Sequence, residues 1–544
     1  MPKPPFLLRM PIEVLSTISA FVNGWEPHPK ASLEAPNQNN GAAEIQNLRL
    51  TCKVLCDASS KFLVPTITID FGSPASIERL EEISQHPEIR RGVVYIRAIC
   101  KLYDPELGAD FDVFVRHQLE RLRTSLTIFR NNENYWPNPC QCGCSEHGKG
   151  NDDTTLQEYV DLGEEIRDAW SQMLAKDGYG NLTGKQYREE WKPYQDILTT
   201  GFEQYQKRVA LQWQWRENEV FCRKIATAMA RMPWGTCLQI DDPDTDWTTR
   251  YKPDDIRTLL GSRNSLSLGM LHPVSSTEVR KIGLGYPPTD LLVKLLIAIH
   301  KAGVSLTSLV IQSQTPDDFF ALASSKQHTS DLTAAMQRLE NFHLRPVGRP
   351  LAHLDNTHRS GLLAGVQRFS SAVLDSPSLE KISLDLYNCS LGSYNANPKA
   401  LISSMIPIRP RPNLKMLSMN YMATTLDKLV QVFDSCNGEP ILFSAQNLLL
   451  LDSEWEDGLD LLRGKVTSGS ILSQFSSAKL KPGTFEMLDR KTFDDPFWSM
   501  WLDFPPTFGW FSYDPISPNV VNIREEAEKY IKGYIDENPL RVRT

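Results

Sequence analysis

The 544-residue sequence lacks any long uninterrupted run of apolar side chains. Its most apolar window, Asp290 to His300, contains Lys294 and is far too short to cross a bilayer. Prolines, Arg9 and Glu13 interrupt the apolar residues of the N-terminal stretch, so it does not resemble a signal peptide. We therefore expect an intracellular soluble protein of the cytoplasm, the nucleus or both, with no membrane partner.

Positive charge is also scarce. The chain carries 58 Lys and Arg residues against 66 Asp and Glu residues, which gives a formal net charge of -8, and no run of cations occurs. Proteins that bind nucleic acid need a basic surface to neutralise phosphates. We expect no nucleic-acid partner.

The motifs that usually announce catalysis are missing. The segment from Gly283 to Pro288 lacks the third glycine of a phosphate-binding loop, and its prolines prevent the helix that must follow. Neither a G-x-S-x-G nor an H-E-x-x-H sequence occurs, and the ten histidines are scattered. The sequence therefore predicts a protein that is not an enzyme, with no catalytic residue and no cofactor.

The ten cysteines do not have the dense spacing of a disulfide framework, and one group of them needs a separate reading. Cys140, Cys142, Cys144 and His147 could supply four zinc ligands of the softness that zinc prefers. Structural zinc sites, however, usually combine two separated cysteine pairs, whereas these four side chains fall within eight residues. We favour a loop without a metal and keep a zinc site as the alternative.

The order of patterns along the chain indicates four segments. Residues 1–70 form a helical motif interrupted by a Pro- and Asn-rich loop at 23–41, and residues 71–232 form a helical linking region with the Cys-rich loop. The widely spaced aromatic residues of this linking region indicate a helical hairpin that packs on itself. A repeat array follows at 233–480, and an aromatic-rich C-terminal cap at 481–544.

Repeated spacing in the third segment predicts its architecture. Four short stretches, which begin at Leu306, Leu339, Leu379 and Leu414, place large apolar residues at positions i, i+3 and i+5. Their steps are 33, 40 and 35 residues, and helical patterns lie beside them. Weaker copies occur at Cys237–Ile240 and Asn447–Asp452. A short strand that alternates with a helix predicts an α/β solenoid, in which neighbouring units bury each other's apolar faces.

The N-terminal helices carry a recognisable pattern. The pattern has two parts. The first part consists of Leu8, Pro11, Glu13, Val14, Leu15 and Ile18, and the second part, further along the chain, consists of Leu48, Leu50, Cys52, Lys53 and Leu55. This pattern resembles the F-box motif, although an insertion of about twenty residues separates its halves. The segment from Ser76 to Arg97 is similar to the one that follows the F-box in filamentous-fungal F-box proteins. The array downstream resembles a divergent leucine-rich repeat, so the resemblance covers nearly the whole chain.

The resemblance implies a function. An F-box protein is the substrate-receptor subunit of an SCF-type ubiquitin ligase, which binds a Skp-type adaptor and, through it, a cullin scaffold. The residues that match the motif and would bind the adaptor are Leu8, Pro11, Val14, Leu15, Leu48, Cys52 and Leu55. Two alternatives stay open: a leucine-rich scaffold that binds partners without any ligase, and N-terminal helices that merely pack on the rest of the chain.

In a parallel solenoid, the residues between the apolar strand positions face the concave side. An unknown protein client would then meet Val310, His343, Ser383, Asp385, Ser418 and Asn420. These side chains are mostly small and polar, so a plain solvated surface is the competing interpretation.

Overall fold

A computed structural model describes the chain over the following residues: 9–22, 42–100, 103–132, 152–174, 189–241, 266, 290–312, 325–345, 356–385, 406–420, 423–436, 441–446, 449–450, 453, 455–469, 471–472, 485–486, 526–527 and 529–541. The chain divides into two compact units. The sheet unit comprises Met1–Cys100, Glu219–Asp242 and Tyr286–Thr544, and the helical unit comprises Lys101–Asn218 and Pro243–Gly285. The expected segment 71–232 is therefore shared between both units.

The sheet unit contains one open parallel β-sheet. Its main strands are β1 (Thr66–Asp70), β2 (Tyr95–Ile99), β3 (Cys237–Asp241), β4 (Ser308–Gln312), β5 (Asn341–Leu344), β6 (Lys381–Asp385), β7 (Met416–Asn420) and β9 (Ile441–Gln446). Each pairs in parallel with the next strand of this series, so spatial order follows chain order. Two-residue strands β11 (Ile471–Leu472) and β12 (Phe485–Glu486) both pair with β9, while β8 (Ala423–Thr424) and β10 (Leu449–Leu450) form a separate pair.

Helices lie between most of these strands. The sheet unit contains α1 (Ile12–Val22), α2 (Ala42–Thr51), α3 (Lys53–Ser59), α4 (Pro74–Gln85), α9 (Val220–Arg231), α10 (Asp290–Lys301), α11 (Lys326–Ala335), α12 (Asn356–Val373), α13 (Leu426–Asp434) and α14 (Trp455–Thr467). Helices α4, α9, α10, α11 and α12 contact one another in that order, parallel to the order of the strands. Among the helices described, none combines the length and the apolar character needed to span a bilayer.

The repeated apolar spacing explains the core. The residues at position i+3 of the four repeats are direct neighbours in the sheet, and all are fully buried: Leu309, Phe342, Ile382 and Leu417. Positions i+5 form the adjacent row, as Ile311, Leu344, Leu384 and Met419. Successive side chains of a strand point to opposite faces, so these alternate residues give the sheet one continuous apolar face.

Most of the predicted strands are confirmed, with differences at the two ends of the array. The four repeats correspond to β4 to β7, and Cys237–Ile240 to β3. Asn447–Asp452, in contrast, does not supply the strand next to β7. Ile441–Gln446 takes that place, and its alternate residues Ile441 and Phe443 are buried in the core. The sheet also begins earlier than expected, since β1 and β2 extend it before residue 233.

The helical unit consists of α5 (Pro105–Ala109), α6 (Phe111–Asn132), α7 (Asp152–Leu174) and α8 (Lys192–Glu217). Aromatic side chains fill its interior, as expected for helices that pack on each other. Phe202 contacts Phe111 edge-on at 5.2 Å between ring centroids. Buried Trp170 donates its indole N–H to the Tyr194 carbonyl at 3.1 Å.

The C-terminal segment 529–541 packs on α14 through a polar cluster. The Tyr530 hydroxyl donates to an Asp460 carboxylate oxygen at 2.6 Å, and the Asn538 amide donates to the same oxygen at 2.8 Å. The Arg463 guanidinium lies 4.4 Å from the centroid of the Tyr530 ring. The aromatic-rich part of the expected cap lies outside the described residues.

Candidate functional site

The first candidate surface belongs to the N-terminal motif, which we define as α1, α2 and α3. Pro11 immediately precedes α1, and its carbonyl accepts hydrogen bonds from the backbone N–H groups of Val14 and Leu15, both at 3.1 Å. Cys52 interrupts the other two helices because its backbone is extended, with φ -164° and ψ 164°. The chain therefore turns between α2 and α3.

A small apolar cluster holds this motif together. Leu15 is only 1% exposed and packs with Leu55 and Ala58, and Met10, Leu48 and Cys52 lie against them. The Ser16 hydroxyl donates to the Ala58 carbonyl at 3.0 Å, which joins α1 to α3. A second buried cluster packs Ala20 of α1 and Ile45 of α2 against Phe62, which follows α3.

The outer side of the motif is apolar as well. Of the eleven large apolar residues that are exposed among those described, seven lie here: Ile12, Val14, Ile18, Phe21, Val22, Leu50 and Val54. On α1, Val14, Ile18, Phe21 and Val22 have the i, i+4, i+7, i+8 spacing of one helix face, which lies next to the buried positions of Leu15 and Ser19. Phe21 is 80% exposed and Leu50 85%. Such a concentration of exposed apolar side chains is typical of surfaces that bind another macromolecule, so this side of the motif is a candidate binding surface.

The structure separates the predicted adaptor-binding residues into two groups. Pro11 and Val14 are exposed, and Leu48 and Cys52 are half-buried, so these can contribute to a surface. Leu15 and Leu55 lie inside the motif, where they pack its helices together, so they are not part of its exposed surface. Leu8 lies outside the described residues.

Sequence reasoning did not assign Phe21, Val22, Leu50 and Val54 to this surface. The sequence contained a sign of this surface on α1, because apolar residues occur around most of the helix, whereas packing against a core needs only one apolar face.

The second candidate surface is the sheet face opposite the apolar one, here called the polar face. Its central row consists of register-aligned residues from eight strands: Thr68, Arg97, Gln239, Val310, His343, Ser383, Ser418 and Ser444. Two residues further along the strands lies a second row that includes Asp241, Asp385 and Asn420. Alternation along each strand places both rows on the same face.

All six residues that we expected to meet a client lie on the polar face. Val310, His343, Ser383 and Ser418 are consecutive members of its central row, and Asp385 pairs with Asn420 in the second row. Val310, Ser383 and Ser418 are buried, so they form the floor of the surface rather than projecting from it. The side chain of Asn420 lies outside the described part of the structure.

Two ion pairs lie on the polar face. Arg97 pairs with the buried carboxylate of Asp241, which also accepts hydrogen bonds from the Gln239 amide at 3.0 Å to each oxygen. Burial raises the pKa of Asp241, and the Arg97 charge opposes that rise. Arg345 lies 3.5 Å from Asp385 on the other side.

Between these ion pairs, His343 is held in its neutral form. Burial lowers the pKa of His343 to about 4, and the nearby Arg345 charge acts in the same direction. The polar face therefore offers neutral hydrogen-bonding groups around its centre.

The sequence singled out Cys140, Cys142, Cys144 and His147 as a possible zinc site, and these residues lie outside the described part of the chain. Within the described part, no group of three or more His, Cys, Asp or Glu side chains is arranged to hold a metal ion. The two surfaces above are therefore the features of the described residues from which a function can be argued.

Comparisons of this chain with protein-family models, with curated proteins and with solved structures found no match.

Proposed function

We propose that this chain is the substrate-receptor subunit of an SCF-type ubiquitin ligase. The N-terminal motif would bind a Skp-type adaptor, which links it to a cullin scaffold, and the polar face would hold a protein client. The observation that carries the proposal is the exposed apolar stripe of α1. The motif buries only part of the apolar surface of this helix, and the exposed remainder is what a partner's groove would cover.

The architecture of the sheet unit is compatible with such a receptor. Strands that pair in parallel and in chain order, with helices stacked in the same order, support a divergent leucine-rich-repeat-like solenoid. Its units are longer than the typical 20–29 residues of that repeat class. The chain would perform no bond chemistry. It would raise the effective concentration of client lysines near a separate ubiquitin-transferring enzyme, in the cytoplasm or the nucleus.

Co-purification with a Skp-type adaptor tests this function. We expect a one-to-one complex with the full-length chain and at least tenfold weaker binding by the double variant Phe21→Ser, Leu50→Ser. Both side chains are mostly exposed, so their loss should leave the fold intact. The matched control is Trp234→Ser with Ile408→Ser, which removes two exposed apolar side chains outside the motif and should not change adaptor binding.

An unchanged complex with the Phe21 and Leu50 variant would contradict the proposal. The runner-up function is a leucine-rich scaffold without a ligase, and failure of the intact chain to bind the adaptor would favour it. Aspartate substitutions at Leu15 and Leu55 would not discriminate between these functions, because they would disrupt the motif interior in either case.

A further inference from the structure

The middle of the polar face carries more positive than negative charge, although the whole chain has a formal net charge of -8. From β4 to β7, the described charged side chains on this face are Lys381, Arg345 and Asp385. Burial lowers the pKa of His343 to about 4, so this ring adds no charge at neutral pH. Two cations and one carboxylate leave an excess of positive charge, which is complementary to an anionic partner.

Lys381 is the cation of this group without an ion-pair partner in the described part of the chain. Its register neighbours on β5 and β7 are uncharged, and the adjacent Glu380 pairs with Lys415 at 2.8 Å. Asp385, the carboxylate on the same face of β6, is four residues away and pairs with Arg345. Lys381 is only half-buried, so its side chain reaches the protein surface. Its ammonium group can therefore take an anionic group of a ligand as its counter-ion.

Arg345 is the second cation, and one carboxylate occupies only part of its guanidinium. Its Nε lies 3.5 Å from an oxygen of Asp385, whereas a guanidinium has five N–H donors. The backbone N–H of Arg345 donates to the Ile311 carbonyl at 2.8 Å, which fixes the position from which the side chain starts. The side chain itself is 55% exposed, so a ligand can reach the guanidinium directly from solvent.

The surface between the two cations is low and uncharged. Ser383 lies between Lys381 and Asp385 on β6, and its register neighbours are His343 on β5 and Ser418 on β7. Both serines are 7% exposed, so their short side chains form a floor above which the cations project. Four residues of an extended strand span about 13 Å, which is therefore the separation of the two cations along the strand direction. Two anionic groups of one ligand segment match this separation better than a single group does.

We propose that the polar face binds an acidic segment of the client, in which one Asp or Glu carboxylate pairs with Lys381 and a second with Arg345. Carboxylates fit better than phosphates, because Asp385 lies beside Arg345 and would repel the larger negative charge of a phosphate more strongly. The inference rests on the proposed receptor function, since it names the class of segment that the polar face would take.

Affinity selection with synthetic peptides tests the inference. The immobilised full-length protein is exposed to three libraries of nonapeptides, acetylated and amidated at their ends. Positions 3 and 7 are Glu in the first library, Gln in the second and phosphoserine in the third, and all other positions vary among uncharged residues. We expect binders from the Glu library. Their affinity, measured by fluorescence anisotropy, should fall at least tenfold when both Glu residues become Gln, and it should fall as the salt concentration rises.

Variants of the protein locate the site. Lys381→Gln with Arg345→Gln should weaken binding of the selected peptides at least tenfold, and Lys381→Gln alone, which removes no ion pair between described residues, at least threefold. The matched control is Lys301→Gln with Arg338→Gln, which removes one exposed lysine at the end of α10 and one exposed arginine in the turn after α11. It changes the net charge by the same amount, and it should leave peptide affinity unchanged. Thermal unfolding of each variant checks that the fold is intact.

Three results would overturn the inference: binders from the phosphoserine library alone; Glu-library binders that lose no affinity in the Lys381 and Arg345 variants, or lose as much in the control; or no binder from the Glu library. Adaptor co-purification on the same proteins separates the two proposals. Peptide failure with intact adaptor binding refutes the client class alone, whereas adaptor failure with peptide binding refutes only the ligase.

Discussion

Acidification should destabilise the sheet unit through His343. The folded protein holds the pKa of this ring at about 4, while the ordinary value is 6.5, so between these limits the unfolded chain binds more protons than the folded one. The free energy of unfolding therefore falls as pH decreases below 6.5, and the contribution of His343 is fully lost near pH 4. Protonation would also place a second positive charge near Arg345, which pairs with Asp385.

The magnitude follows from the shift. At about 1.4 kcal/mol per pKa unit, the whole change from 6.5 to about 4 corresponds to about 3 kcal/mol, and about 2 kcal/mol should be lost by about pH 5. Other groups act in the opposite direction. Burial raises the pKa values of Asp241 and Glu340, and protonation of such carboxyls favours the folded state. The effect of His343 must therefore be isolated with a variant that cannot titrate.

Urea unfolding of the wild type and of His343→Gln, at about pH 7.5 and at about pH 5, provides the assay. Glutamine keeps a polar side chain at the position but has no titration in this range. We expect the wild type to lose about 2 kcal/mol more than the variant between the two conditions. Equal losses in both proteins, or a His343 ring signal that titrates near 6.5 by NMR, would refute the reasoning.

Two further predictions concern the frame of the sheet unit. Gly92→Ala should destabilise the protein by about 1–3 kcal/mol, because a Cβ at this position would overlap the Lys61 carbonyl oxygen. The control is Gly464→Ala in α14, where a Cβ meets no atom within 4 Å, and it should be neutral or stabilising by about 0.5–1 kcal/mol. Thermal unfolding measures both variants, and equal midpoints would contradict the clash. Tyr530→Phe should remove the hydrogen bond to Asp460 and loosen segment 529–541 by about 1 kcal/mol. Hydrogen exchange of that segment should quicken, and unchanged exchange would show that the bond does not hold it.

The apolar spacing of the repeats was sufficient to predict most of the sheet. Residues at i+3 and i+5 need a surface on which alternate side chains point the same way, and a strand alone supplies it. The same spacing could not reveal the start of the sheet. Between β2 and β3 the chain forms most of the helical unit. The step from Tyr95 to Cys237 is therefore much longer than the steps between the later repeats, and the repeat period cannot be recognised there.

The two candidate surfaces differ in how far sequence could predict them. The polar face follows from strand alternation, so all six expected residues lie on it. The burial of Val310, Ser383 and Ser418 depends on their surroundings in the folded protein, which alternation does not specify. In the N-terminal motif, the apolar residues of α1 cover more of the helix than one internal face needs. The sequence therefore does not show which of them are internal, and only packing places Leu15 inside and Phe21 outside.

The excursion between β2 and β3 also has a consequence for synthesis. The ribosome releases β2 long before β3, because the residues from Cys100 to Thr236 must be translated in between. At roughly 5–20 residues per second, this interval lasts on the order of 10–30 s. During that time β2 carries one edge without its final partner, the condition under which strands pair wrongly. If the Lys101–Asn218 part of the helical unit folds as it emerges, the flexible chain between β2 and β3 becomes shorter. A slow, distant pairing would then become a more local one.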